Sequence, residues 1–185
     1  HFGERMAQNW LDAARYADTA GHAADQPRTM WLYRDWVIGA INQDMPFDQF
    51  SVAQLAGDLL DNPSQAQLIA TGFHRNSMQA LGNNPRKEEF RVKGIVDRLE
   101  TTGRVWLGLS LACAECHDHK YDPLSQKEFY EFFAFFNQVP ERGQSGFTPN
   151  IKVPPRGVEQ AKAKLTNAEE KLKSNEKDIQ EAQVK

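Results

Sequence analysis

Residues 87–117, "KEEFRVKGIVDRLETTGRVWLGLSLACAECH", decide how this chain folds. The stretch predicts one long helix, with Gly94, Gly103 and Gly108 as points of close packing or breakage. The same period runs outward on both sides. Upstream, "GERMAQNWLDAARYADT" sets Met6, Trp10, Leu11, Ala14 and Ala17 at three- and four-residue steps, one apolar face. "MWLYRDWVIGAIN" and "DQFSVAQLAGDLL" repeat the pattern, parted by "QDMPFD", where Pro46 breaks the chain and Asp48 is placed to cap the next helix. "SQAQLIATGFHRN" predicts a fourth, shorter helix after "DNP", and "ALGNNPR" a turn. Downstream of Pro123, Ser125 and Glu128 in "SQKE" form a capping box that opens the aromatic helix "EFYEFFAFFN". No strand-like alternation of any length occurs, so the fold class is all-α, a helical bundle.

Beyond this bundle, residues 1–138, the composition turns to Pro, Gly, Ser and Arg over 139–156, which predicts a linker. Residues 157–185 differ again. Val158, Leu165, Leu172 and Ile179 are spaced by sevens, while Ala161, Ala168, Asn175 and Ala182 fill the other seam position. Large residues at one site and mostly small ones at the other predict a coiled-coil helix with a closely packed partner helix. The alternative is a single solvated helix.

The 185 residues carry 22 basic and 25 acidic side chains with no basic stripe, which argues against a nucleic-acid partner. No apolar run is long enough to span a membrane. The chain opens without an initiator Met and ends inside a charged helical pattern, so it reads as a piece of a longer protein. There is no phosphate-cradling Gly loop and no nucleophile elbow.

Chemistry concentrates in "CAECHDHKYDP", residues 113–123, which hold both cysteines and two of the five histidines. Two thiols three apart, followed at once by His, are the attachment pattern of a c-type haem. Random placement of this composition gives that arrangement about 3 times in 10,000. Cys113 and Cys116 would hold the two vinyl groups of one porphyrin edge of a haem c, and His117 would bind its iron axially. Three other readings compete. Zinc could take Cys113, Cys116 and one or both of His117 and His119, but closed zinc sites draw ligand pairs from separated segments. A redox pair of the thioredoxin kind needs a βαβ setting. A disulfide or two plain buried thiols is the bland possibility. Haem is the reading the spacing favours, and it implies a periplasmic or extracellular location, where no further cysteine competes for oxidation.

A haem held by His117 needs a decision about its sixth ligand, which separates electron transfer from chemistry on small molecules. His74 and the soft Met78 lead; His1 and His22 are further possibilities. His119 lies too near His117 along the chain and is expected to bond a propionate, a backbone carbonyl or Asp122. Lys120, Arg75, Arg91, Arg98 and Arg104 are candidates for the propionates, although ion pairs with Glu88, Glu89, Asp97 and Glu100 compete for the arginines. The Phe129–Phe136 run either walls the porphyrin or is ordinary core. Asp12, Asp18, Asp25 and Asp35 could supply a hydrolytic carboxylate pair, with nothing in their spacing to distinguish them from salt bridges.

Taken together, residues 1–138 resemble a domain of unknown function in large planctomycete proteins labelled cytochrome-associated. "HFGERMAQNWLDAARYADT", "YRDWVIGAINQDMPFDQFSVAQLAGDLL", "IATGFHRN" and "VDRLETTGRVWLGLSLACAECHDHKYDPLSQKEFYEFFAFFN" carry the likeness. It implies an exported, multidomain parent, often with a separate cytochrome domain before this one and another domain after the coiled coil. The family pattern often begins further upstream, and Asn9 stands where similar sequences often have His. The expected role is therefore a monohaem electron-transfer domain serving a redox partner protein or an adjacent cytochrome, rather than a stand-alone enzyme. The resemblance also implies a link to polysaccharide breakdown. The alternatives are a non-redox interaction module with zinc or a disulfide at Cys113 and Cys116, and a haem enzyme with an open distal face.

Overall fold

Small residues on one side of the first helix set how closely its neighbour approaches. The structure, a computed structural model, describes residues 1–21, 25–78, 87–139, 150–154 and 157–183, with the backbone alone at 87, 159–160 and 175–183. His22, the turn at 80–86 and most of the expected linker lie outside the described residues. α1 (Phe2–Ala13) buries Gly3 and Ala7, and α2 (Trp31–Asn42) buries Tyr33, Val37 and Ala40. Gly3 donates its N–H to Asn42 Oδ1 at 2.9 Å, and Trp10 Nε1–H donates to Tyr33 OH at 3.3 Å. The start of each helix thus meets the end of the other, and the pair is antiparallel. Met6, expected on the apolar face, is 49% exposed. The buried stripe is Gly3, Ala7 and Ala14, with Trp10 and Leu11 packed alongside.

α3 (Phe47–Ala56) starts directly after Pro46. Asp48 sits in its first turn and makes no cap hydrogen bond, so the expected cap is replaced by the fixed backbone of proline. α3 sends Gln54 into the core, where its Oε1 accepts from Tyr33 OH at 2.7 Å and from Trp10 Nε1–H at 2.9 Å. Its Nε2 donates to Phe50 O at 3.2 Å, so this fully buried amide is satisfied at both ends. α4 (Gln65–Ala70) opens on a capping box, Ser64 with Gln67, and runs into a 3-10 turn at Thr71–Arg75. This first core gathers Ala7, Ala14, Tyr33, Val37, Ala40, Phe50 and Phe73.

The long helix expected over 87–117 is three pieces. α5 (Lys87–Thr102) passes into a π turn at Gly103–Leu107, Gly108 adopts φ 68°, and a 3-10 turn comes next at Leu111–Glu115. The break has a packing cause. The Leu111 side chain folds back so closely on Gly103 that a Cβ there would run into its Cδ1. Gly108 supplies the left-handed residue that turns the chain back. α6 (Gln126–Asn137) begins at Ser125 with the expected capping box. Phe129, Phe132, Phe133 and Phe136 form its inward stripe and join Leu99, Leu111 and Ala114 in a second core.

Among the described residues all regular structure is helical, with seven α-helices and no strand, and the all-α reading is borne out. The chain divides into His1–Asn150 and Ile151–Lys185. The second unit holds α7 (Val158–Gln183), whose Leu165 and Leu172 are exposed.

Candidate cofactor site

The cysteine motif sits on the rim of the second core. Leu111 and Ala114 point inward and are buried, which leaves Cys113 and Cys116 on the outside as exposed free thiols. The turn is gripped from two helices. From α5, Glu100 Oε2 accepts the Ala112 N–H at 2.6 Å. From α6, Gln126 Nε2–H and Tyr130 OH both donate to Glu115 O, at 3.0 and 3.1 Å. Asp118 Oδ1 accepts the Gln126 N–H at 2.8 Å, so the motif also caps the first turn of α6. Sequence reasoning missed these roles of Gln126, Tyr130 and Glu100 because the bonds join segments that are distant along the chain.

His117 is exposed, and its Nδ1 lies 2.7 Å from the Asp118 carbonyl oxygen. A carbonyl can only accept, so Nδ1 carries the proton. Nε2 is then the lone-pair nitrogen, with no hydrogen-bond partner among the described residues. Metal-binding histidines characteristically fix their other ring nitrogen in this way. His119 is arranged oppositely. Its Nδ1 accepts backbone N–H groups from Asp122 at 2.8 Å and Tyr121 at 3.3 Å, and only 8% of its side chain is exposed. Of the partners expected for it, the structure shows Asp122, which meets the ring through its backbone amide. The Asp122 carboxylate lies 3.4 Å from the same nitrogen.

Of the two residues named for the distal position, His74 points into the interior. Its ring lies 5.1 Å from that of Phe136 and edge-on to Phe73, its Nε2–H donates to Leu55 O at 3.3 Å, and its Nδ1 is buried without a partner. Burial first, and the Arg98 guanidinium second, push this imidazole down to about 4. Met78 is exposed and lies against Gly21. Among the described residues no hydrogen bond or ring contact joins either to His117.

The propionate candidates have other partners. Arg91 pairs with Glu88 and donates to Asn137 Oδ1, Arg104 pairs with Glu100, and buried Arg98 donates Nε–H to His74 O at 2.9 Å. Asp97 pairs with Arg15 from the end of α1, at 2.7 Å, and not within its own helix. Lys120 stays on the surface beside the motif, its ammonium 5.3 Å from the Tyr121 ring centre. The acidic residues of the first segment hold local structure. Asp18 and Asp35 flank Arg34, and Asp25 accepts the Gly21 N–H at 2.7 Å. Sequence reading missed Arg28, whose guanidinium donates to the carbonyls of Ala17, Arg75, Asn76 and Ser77.

A closed zinc site needs four converging ligands. Among the described residues no three His, Cys, Asp or Glu side chains converge in that way. The donor set does fit a c-type haem. It offers two outward thiols three residues apart, an imidazole with Nε2 available, and an exposed lysine on the same loop. The PSCyt2 family model, described as a protein of unknown function (DUF1549), matches residues 1–141. No curated protein and no solved structure matches the chain.

Proposed function

The chain belongs to the PSCyt2 family, and on that premise we propose that it is a monohaem c-type electron-transfer domain of an exported multidomain protein. Cys113 and Cys116 would hold the porphyrin through thioethers, His117 Nε2 would bind iron, and Lys120 would face a propionate. When bound, the haem supplies a one-electron couple. The residues here fix its anchor: Glu100, Gln126 and Tyr130 hold the turn, and the Asp118 carbonyl sets the His117 tautomer. The observation that carries the reading is that imidazole, exposed and oriented beside two free thiols. A motif on the surface suits electron exchange with a redox partner protein or an adjacent cytochrome domain, and an oxidative step on extracellular carbohydrate is one use for it. The heptad face of α7 supplies the contact to a partner helix.

The test is covalent attachment. Protein exported with the c-type maturation machinery should keep its haem absorbance with the polypeptide after acid–acetone extraction. Cys113→Ala/Cys116→Ala should lose it. A folded, matured chain that carries no covalent haem overturns the reading. A second reading, an interaction module closed by a disulfide, draws on the two thiols being free and three residues apart. It expects two fewer hydrogens by mass in the oxidised chain and no pigment.

A further inference from the structure

We propose that Arg15, His74 and Asn76 form a buried site for a small oxyanion that carries its own hydrogen, of the hydrogen phosphate class. None of these residues belongs to the Cys113–His117 motif, and the site needs no haem. Four buried side-chain atoms have no hydrogen-bond partner among the described residues: Arg15 Nε, His74 Nδ1 and both polar atoms of the Asn76 amide. Buried polar atoms are nearly always paired, so such a group calls for a ligand or ordered water. The three residues share one neighbourhood. Asp97 holds Arg15 at 2.7 Å, and the next residue, Arg98, donates to His74 O. Arg28 donates to the carbonyls of Arg75, Asn76 and Ser77. The Arg15 charge acts on both Arg28 and His74.

Arg15 reaches this place on a left-handed backbone, φ 60°, which a residue with a side chain adopts at a cost. Asn76 is 3% exposed, whereas 25% of the Arg15 side chain is at the surface, an opening for a small ion. Charge and hydrogen-bonding capacity select the occupant. Arg15, Arg28 and Arg98 bring three positive charges, and Asp97 offsets one of them. Asp18, which also acts on Arg28, is mostly exposed. Burial first, and the Arg15 charge second, hold the Arg28 guanidinium below its ordinary value. An anion relieves that repulsion and water does not. Arg15 Nε–H and Asn76 Nδ2–H are donors. Asn76 Oδ1 is an acceptor, and so is His74 Nδ1, because the ring's proton is on Nε2, which donates to Leu55 O. A halide would serve the donors alone. An oxyanion with a hydrogen of its own serves both sets.

The experiment titrates inorganic phosphate, sulfate and chloride into the whole chain by calorimetry, at neutral pH and matched ionic strength. Sulfate resembles phosphate in size and shape but has no hydrogen to donate at that pH. The expected result is a single phosphate bound per chain, about tenfold or more tightly than sulfate, which leaves buried acceptors unpaired. Chloride should bind more weakly still. Asn76→Leu should lose phosphate binding while keeping the parent's circular dichroism. If that variant does not fold, the parent's preference for phosphate over sulfate decides alone. A parent that binds no phosphate overturns the proposal and leaves the four atoms to water. Equal affinity for phosphate and sulfate, or a folded Asn76→Leu that binds phosphate as the parent does, also overturns it, since the binding would then come from exposed charges.

Discussion

Arg28 shows how one side chain can fix the chain where a 3-10 turn runs out. Its guanidinium donates to Arg75 O at 3.2 Å, Ser77 O at 2.9 Å and Asn76 O at 3.0 Å, while Arg98 takes His74 O. The carbonyls of residues 74–77, from the last residues of the 3-10 turn onward, are therefore satisfied by two arginines. A lysine cannot reproduce that planar fork. Arg28→Lys should destabilise the chain by about 2–3 kcal/mol, with several carbonyls left unpaired, read as a lower urea midpoint at unchanged slope. A midpoint within error of the parent would mean that water replaces the clamp at no cost. His74 gives the pH dependence. Its folded value of about 4 lies below the ordinary 6.5, so the folded state favours the neutral ring. That stability is complete above pH 6.5 and is lost as pH falls toward 4. Between pH 7 and pH 5 the parent should lose about 2 kcal/mol more than His74→Gln does, measured by denaturant titration at each pH. Equal losses would place the acid sensitivity elsewhere. Neither arginine clamp was legible in the sequence, because a donor to distant carbonyls leaves no periodicity. The pattern of Cys113, Cys116 and His117 is one of spacing along the chain, so a haem site there can be proposed from sequence alone.

At the scale of elements, the helices came from apolar period and capping chemistry. Ser125 with Glu128 marked the start of α6 correctly. The run from Thr102 to Glu115 was legible in its break points and not in the π and 3-10 turns between them. Gly103 and Gly108 were marked there as points of close packing or breakage, and the structure uses both: Leu111 packs over Gly103, and Gly108 turns the chain in the left-handed region. Two substitutions separate the causes. At Gly103, Ala would meet the Leu111 side chain and should cost more than about 2 kcal/mol through forced repacking of the second core. At Gly108 an added Cβ meets open space, so Gly108→Ala should cost only the left-handed backbone penalty, about 1 kcal/mol. Thermal unfolding of both variants checks the order. If Gly108→Ala proved the more damaging, the turn and not the packing would govern the break. The same packing brings Glu100 to the Ala112 amide, so Gly103→Ala should also loosen the thiol turn, read as faster reaction of Cys113 and Cys116 with an alkylating reagent.

For the whole molecule the issue is what the charged C-terminal helix contributes. α7 runs from Val158 to Gln183 with Leu165 62% and Leu172 61% exposed, in a unit divided from His1–Asn150. An isolated helix of this composition is marginal in water, since most helical stability comes from packing an apolar face. Its seven-residue repeat was plain in the sequence, whereas the identity of a partner is not written in a single chain. The linker expected before it falls largely outside the described residues. If the heptad seam pairs, the chain should associate reversibly as its concentration rises, and far-ultraviolet helicity should rise with it. Replacing Leu165 and Leu172 together by Asp puts two charges into the seam and should abolish both effects. The melting of the N-terminal unit should be unchanged, because Leu165 and Leu172 are exposed and the described residues of its two cores all belong to His1–Asn150. Sedimentation equilibrium with circular dichroism on parent and variant makes the comparison. A parent that stays monomeric and equally helical at every concentration would mean that α7 is a solvated helix, held by its own charge pairs and joined to nothing in this chain.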